Sequence, residues 1–285
     1  MIRYIKNRLW LIRRLLLLKI RGRVHHSDRF GLSYWLWENT RAMGTPSGEP
    51  RTDDTGVLEQ LRRVYEAIGQ PDGRQVVSVD AGTYIGVISL AMFRFGPVNH
   101  VVHSFEADDI NYSRLDQNVS GLPGGSVVIH KTAVSNHVGT AEFTRNRDPG
   151  TNSLIGGLGD SASPTAVYTV PVTTLDTFVE EQGLDGIDVL KIDVEGADLE
   201  VLLGASSLLS SGRIKAIVVE IPLTSVRRAE MNELLVGYGL RLAYIVRNST
   251  DLIPADEVSY AGSPRAPLNM LAAKTDLANR LEVGL

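Results

Sequence analysis

The 285-residue chain contains no cysteine. That excludes disulfides, thiolate metal sites and a cysteine nucleophile, and it is compatible with a reducing cytoplasm. No uninterrupted apolar run approaches the ~20 residues of a membrane span; the longest near the N-terminus is Leu15 to Leu18. The six histidines show no His-x-x-x-His or other ligand spacing, so no metal site is expected. Acids are absent from residues 1–27, which carry eight Lys and Arg, leaving 21 Lys and Arg against 33 Asp and Glu in the rest, a net of −12. An acidic body of this kind gives no support for nucleic-acid binding.

What is present fits a globular protein. Apolar residues make up 43% and charged residues 22%, and the length suits one domain or one with a modest extension. Residues 1–27 read as a basic amphipathic helical segment, its periodicity carried by the first 24 residues with Ile2, Ile5, Leu9, Ile12, Leu16 and Ile20 on one face. Three readings of this basic arm stand: a helix in the interface of an anionic membrane, a helix packed on the domain or a second subunit, and a transit peptide. Residues 28–73 read as a helical and loop cap region that includes Trp35 and Trp37. Residues 74–285 then alternate strand and helix, which argues a mainly parallel sheet.

The organising stretch is Val76-Val77-Ser78-Val79-Asp80-Ala81-Gly82-Thr83-Tyr84-Ile85-Gly86. A buried strand ends in an acid, two glycines make a turn, and a helix follows. Ligands of doubly wound sheets sit at such strand ends. The spacing is G-x-x-x-G, neither the G-x-G-x-x-G of dinucleotide binders nor a phosphate loop followed by G-K-[ST]. An acid before the first glycine suits a ligand carrying a positive charge or a hydroxyl, such as S-adenosylmethionine. Further strands are expected at residues 101–106, 126–130, 187–193 and 216–221, with closing strands at 240–246 and 268–273. Extended segments are expected at 138–144 and 166–172.

Acids recur at strand ends. Glu106 lies about 20 residues past Gly86, the separation at which an acid meets a ribose hydroxyl in nucleotide-binding βαβ units. In Lys191-Ile192-Asp193-Val194-Glu195-Gly196, strand alternation puts Lys191, Asp193 and Glu195 on one side. Three ionisable groups at the end of a buried strand are costly unless paired or functional, so an internal Lys–carboxylate pair and a reactive site are both open readings. His103 and His130 fall in strands and read as core or sheet-edge residues, and His137 falls in a loop.

Taken together, Val79-Asp80-Ala81-Gly82-x-x-x-Gly86, Phe105-Glu106, Thr132-Ala133-Val134-Ser135, Thr174-Leu175-Asp176, the run from Ile187 through Gly196, and Val219-Glu220 resemble the FkbM-type S-adenosylmethionine-dependent methyltransferases. The resemblance covers about residues 76–273. It implies an α/β, Rossmann-like class I methyltransferase fold: a mainly parallel seven-stranded sheet with one reversed strand. It also implies that Asp80, Gly82, Thr83 and Gly86 form the methionine-end pocket, that Glu106 holds the ribose, and that Ala107 and Ala133 edge the adenine. Asp193 would face the ammonium or the reacting methyl. The chain departs from the family at Thr83-Tyr84, where Ala-Asn is usual, and at Ala107, where Pro is usual. Substrate contacts are expected around Asn152-Ser153-Leu154.

The expected activity is methyl transfer from S-adenosylmethionine to a hydroxyl of a sugar, glycolipid or secondary metabolite. Glu195 is the first candidate base and Glu220 the second, with Asp193 shared between cofactor and chemistry. The alternatives are a nicotinamide-dependent oxidoreductase on a similar sheet, and a non-catalytic protein that uses the arm to bind a membrane or partner. A cytoplasmic protein is expected, peripheral at the inner face of the membrane if the arm binds lipid, with a homo-oligomer as the other use of the arm.

Overall fold

A computed structural model of the protein describes residues 23–27, 31–37, 52–71, 73–154, 164–221, 225–246, 251–255 and 269–283. In chain order the elements are β1 (Arg23–Ser27), β2 (Ser33–Trp37), α1 (Thr52–Ile68), β3 (Val76–Ala81), α2 (Val87–Phe95), β4 (His100–Phe105), α3 (Asp109–Val119) and β5 (Val127–His130). Next come β6 (Ala133–Val134), β7 (Gly139–Asn146), β8 (Pro164–Thr173), α4 (Leu175–Glu181), β9 (Ile187–Ile192), α5 (Asp198–Leu203), α6 (Ser206–Ser210) and β10 (Ile214–Glu220). The chain closes with α7 (Ser225–Gly237), β11 (Leu240–Ile245), β12 (Leu252–Pro254), β13 (Asn269–Lys274) and α8 (Thr275–Leu281).

The main sheet runs β12-β11-β13-β10-β9-β3-β4-β5. Strands β5, β4, β3, β9 and β10 pair in parallel. The reversed strand β13 lies antiparallel between β10 and β11. Chain direction therefore reverses the strand order between β3 and β9, which makes their carboxyl ends the switch point where such sheets bind ligands. The expected seven strands are present, and an eighth, β12, adds to the edge beside β11. It is three residues long and ends in proline, too short to register as a strand in sequence.

Parallel strands covered on both faces read as continuous apolar runs, and β3, β4 and β9 are buried throughout. On one face Val79, Phe105, Leu190, Ile192, Ile217 and Val219 pack against α4, α5, α6 and α7. On the other, Val76, Val102, Val189, Ala216 and Val218 pack against Val57, Leu61, Val64 and Tyr65 of α1 and Leu277, Ala278 and Leu281 of α8. The connection from β9 to β10 is made by two short helices, α5 and α6, rather than one. Gly204 lies between them, and a Cβ there would stand 2.0 Å from the carbonyl oxygen of Ser135.

Strands β6, β7 and β8 form a separate three-stranded sheet in the order β6-β8-β7. It is built from the two extended segments expected in sequence plus Ala133-Val134. Toward the N-terminus, β1 and β2 pair antiparallel, so Arg23–Ser27 is strand where the basic helical segment was expected to run to residue 27. Residues 1–22, the body of that arm, lie outside the described residues. Among the described residues no helix is long and apolar enough to cross a membrane.

The amino ends of the central strands are fixed by one carboxylate. Asp188, its side chain 3% exposed, accepts from both Arg74 nitrogens at 2.8 Å and from the Val77 amide at 2.9 Å, and pairs with Lys215 at 2.7 Å. Burial opposes its ionisation, yet Arg74 and Lys215 hold its carboxyl below the usual range. Asp188→Ala is expected to lower stability by about 1–3 kcal/mol, since it leaves the buried Val77 N–H without an acceptor, while the half-exposed Arg74 and Lys215 return to solvent. Because the folded pKa is depressed, the stabilisation is full above the ordinary carboxylate range and is lost as pH falls through the folded value. Urea unfolding of both proteins from neutral pH down to about pH 3 checks both the size and the direction.

Candidate functional site

Between β3 and α2 the backbone takes three left-handed steps: Gly82 (φ 82°), Tyr84 (φ 57°) and Gly86 (φ 89°). The amides of Gly82 and Thr83 both donate to the Phe105 carbonyl at 3.1 Å, so the turn is fastened to the end of β4. On its other side the turn meets β9. The Asp193 amide donates to the Ala81 carbonyl at 3.0 Å, and a Cβ on Gly82 would lie 1.8 Å from the Asp193 carbonyl oxygen. Only glycine permits this approach of the two strand ends.

Tyr84 supplies the turn's one left-handed non-glycine residue, a conformation costing about 1–2 kcal/mol for an L-residue. The strained step aims its amide at Glu106, whose Oε2 accepts at 2.9 Å. Glu106 Oε1 accepts from the Asp108 amide at 2.8 Å. Burial pushes the Glu106 carboxyl up to about 8, with the Asp108 and Tyr84 N–H groups opposing the shift.

Asp80 stands directly across the strand pair from Lys191. Its carboxylate, 1% exposed, accepts from Ser89 Oγ at 2.6 Å, and Ser104 Oγ donates to Ser89 Oγ at 2.8 Å. Thr83 Oγ1 donates to the Asp80 carbonyl at 2.9 Å. Asp80 is thus turned toward α2, and burial raises it to about 6. Lys191 Nζ donates to the Ile192 carbonyl at 2.9 Å and to Asp193 Oδ2 at 3.1 Å. Burial would depress the ammonium, but Asp193, Glu220 and Asp80 together hold it above its ordinary value.

Strand alternation stops at Ile192. Lys191 is 2% exposed while Asp193, two residues on, is 42% exposed. Val194 to Gly196 form a turn with Glu195 at φ 54° and Gly196 at φ 99°. Lys191, Asp193 and Glu195 are therefore not three teeth of one strand face: the lysine is core, paired with Asp193, and Glu195 rides on a turn. Asp198 builds that turn, accepting from the Val194 and Gly196 amides at 3.2 Å each. Ser153 Oγ donates to the Glu195 carbonyl at 2.9 Å, and Ser153 also bridges to Thr144 of β7. The Asn152-Ser153-Leu154 stretch is thereby tied to the turn that carries Glu195. At the end of β10, burial and the carboxylates of Asp193, Asp198 and Glu195 hold Glu220 well above the usual carboxylate range.

Ala107 and Ala133 meet in one cluster, packed on Phe143, Val170 and Val172 of the three-stranded sheet. His103 and His130 stand 3.1 Å apart and pack on Phe105 and Phe178, with burial lowering His103 to about 4. Both are packed aromatic residues. His137 is exposed beside Asn136.

A sequence model of the FkbM methyltransferase domain matches residues 80–242, more than half of the chain. The chain belongs to the FkbM methyltransferase family. Solved structures with a related chain course include the methyltransferase FkbM from Methylobacillus flagellatus KT, at 14% identity and TM-score 0.45. That alignment covers 92% of this chain and 58% of that one, so the present chain spans under two thirds of that protein. A SAM-dependent methyltransferase from Agrobacterium tumefaciens aligns at 12% identity and TM-score 0.49, covering 88% of this chain and 69% of that one. A comparison with curated proteins returns no match. Nothing in the FkbM match favours the nicotinamide alternative.

Three residues of the candidate site escaped the sequence reading: Asp198 and Asp108 each accept backbone amides at a helix start, and Ser89 answers Asp80, while Ser153, expected only as a substrate contact, also answers Glu195. The signal was faint: an acid two residues after Glu106 and another three residues after Glu195 stand where a capping side chain would.

Gly82→Ala should cost about 2 kcal/mol or more, because it adds a collision with backbone to a left-handed φ. Denaturant unfolding measures it. Gly124→Ala, whose Cβ would meet nothing within 4 Å, is the control and should be nearly neutral.

Proposed function

We propose that this FkbM-family protein transfers a methyl group from S-adenosylmethionine to a hydroxyl of a sugar, glycolipid or secondary-metabolite acceptor. The observation that carries the reading is Glu106: a buried carboxyl group at the end of β4, aimed by two backbone N–H groups, with the exposed carboxylate of Asp193 at the end of β9 on the far side of β3.

The donor set suits that cofactor. Each carboxylate oxygen of Glu106 accepts one N–H and has a second lone pair, enough for a ribose diol. Asp193 offers a solvent-accessible negative charge for an ammonium. Ala107 and Ala133 are small and apolar, as an adenine edge requires. When bound, the cofactor supplies an electrophilic methyl on sulfonium. The chain has to align the acceptor oxygen and manage one proton. Glu195, half-buried on its clamped turn, is the group assigned to take the acceptor's proton or orient its hydroxyl. Burial and the neighbouring carboxylates hold Glu220 well above the usual carboxylate range, so it stands second to Glu195 for this role.

A carboxyl raised to about 8 is protonated in the free protein near neutrality. Accepting two hydroxyls favours the carboxylate, so binding releases a proton. The affinity for S-adenosylhomocysteine should therefore rise with pH up to about 8, by at most ~10-fold per unit. Calorimetry in buffers of different ionisation enthalpy reads the proton directly. Glu106→Gln should abolish that release and cost about 1.5–3 kcal/mol of affinity. Unchanged affinity would remove Glu106 from the ribose.

Glu195→Gln should retain S-adenosylmethionine binding and slow turnover by about 10²–10⁴-fold, whereas Asp193→Asn should impair both. Screening methyl transfer against free and lipid-linked glycans provides the acceptor for that comparison. Normal turnover by Glu195→Gln would move the base elsewhere.

A further inference from the structure

The segment Glu106–Asp108 is gripped from two sides. On the inner side lies the glycine turn, through the Tyr84 amide on Glu106. On the outer side lies the three-stranded sheet, through Asp108. The Asp108 side chain is 1% exposed. Its Oδ1 accepts from the amides of Ile110 and Asn111 at 2.9 Å and so caps α3. Its Oδ2 accepts from Tyr168 of β8 at 2.8 Å and from Arg145 Nε of β7. Arg145 Nη2 donates to the Tyr168 hydroxyl at 3.1 Å, and the guanidinium lies over the Tyr168 ring, 4.9 Å from its centroid.

Both Asp108 carboxylate oxygens are occupied by two donors each, so the side chain has little freedom to turn. Its backbone N–H is one of the two that aim Glu106. The inserted sheet also covers Ala107 with Phe143, Val170 and Val172. The residue pair and the carboxylate are thus linked by one buried side chain and one peptide.

We infer that Arg145 and Tyr168 are positioning residues for the cofactor: through Asp108 they hold the Glu106 carboxylate in its binding orientation, without themselves touching the ribose. The inference rests on the cofactor role of Glu106 argued above. It makes the small sheet part of the cofactor site as well as a candidate wall of the acceptor site.

Calorimetry with S-adenosylhomocysteine on Arg145→Met, Tyr168→Phe and Glu106→Gln, singly and combined, tests it. In the wild-type background, Arg145→Met and Tyr168→Phe should each weaken binding by about fivefold to tenfold, less than the loss of a direct bond to a charged group, because they reach the ribose only through Asp108 and Glu106. In the Glu106→Gln background each should have less than about a twofold effect, because the carboxylate they position is gone. Arg145→Lys should restore part of the affinity by returning the charge without the fork. Tyr168→Phe removes one hydroxyl only and keeps the cycle readable if Arg145→Met fails to fold. Equal losses in both backgrounds, or no loss in either, overturn the inference while leaving Glu106 at the ribose. A wild-type protein that does not bind S-adenosylhomocysteine overturns the reading of Glu106 and this inference with it.

Discussion

The site depends on one buried ammonium. Lys191 is enclosed by the sheet, with the carboxylates of Asp80, Asp193 and Glu220 as its nearest charges. An isolated charge in such surroundings costs several kcal/mol, and acids left together without it would repel one another. With the ammonium in place, Asp80 can be buried under α2, Asp193 can stand at the mouth, and β3, β9 and β10 can end side by side. The lysine is central because its strand is central: it registers with Asp80 on one side and Val218 on the other.

The two ends of the sheet use charge in opposite ways. At the amino ends Asp188 is one carboxylate served by two cations and an amide, a saturated arrangement that has nothing left to offer a ligand. At the carboxyl ends Asp80, Asp193 and Glu220 gather around the one ammonium of Lys191, and burial drives the Asp80 and Glu220 carboxyls toward the neutral form while the Ser89 hydroxyl and the ammonium oppose it. Stability lies in the first arrangement and chemical potential in the second. The inserted sheet belongs to the second, reaching Asp108 through Arg145 and Tyr168 and Glu195 through Ser153.

The frame was legible because buried parallel strands leave no choice of side chain. Val76–Ala81, Ile187–Ile192 and Ile214–Glu220 are runs of Val and Ile that fall within a residue or two of their expected bounds. The reversed closing strand was also legible. Orientation within the site was less so. Alternation was extended past Ile192 into a turn, and so Lys191 and Glu195 were put on one face that does not exist. Asp80 was read as facing a ligand, yet Ser89, nine residues on, bonds its carboxylate within the core. Asp108 and Asp198 clamp backbone amides two to four residues away, which carry no side-chain signature, while Arg145, Tyr168 and Ser153 meet partners far off in the chain. Helix α8 and strand β12 were missed because each is at most seven residues long.

The edge strand β12 has a consequence for how copies of this protein behave at high concentration. A strand at the margin of a sheet offers unpaired N–H and C=O groups to any passing chain, and long flat edges seed aggregation. Here the longer β11 is not the margin. Its residues Ala243–Ile245 are already paired, and the strand that takes the outer place has three residues and ends on Pro254, which has no N–H to give. Among the described residues the main sheet therefore ends beside β11 in a poor template, and growth by strand addition is discouraged on that side by a tripeptide.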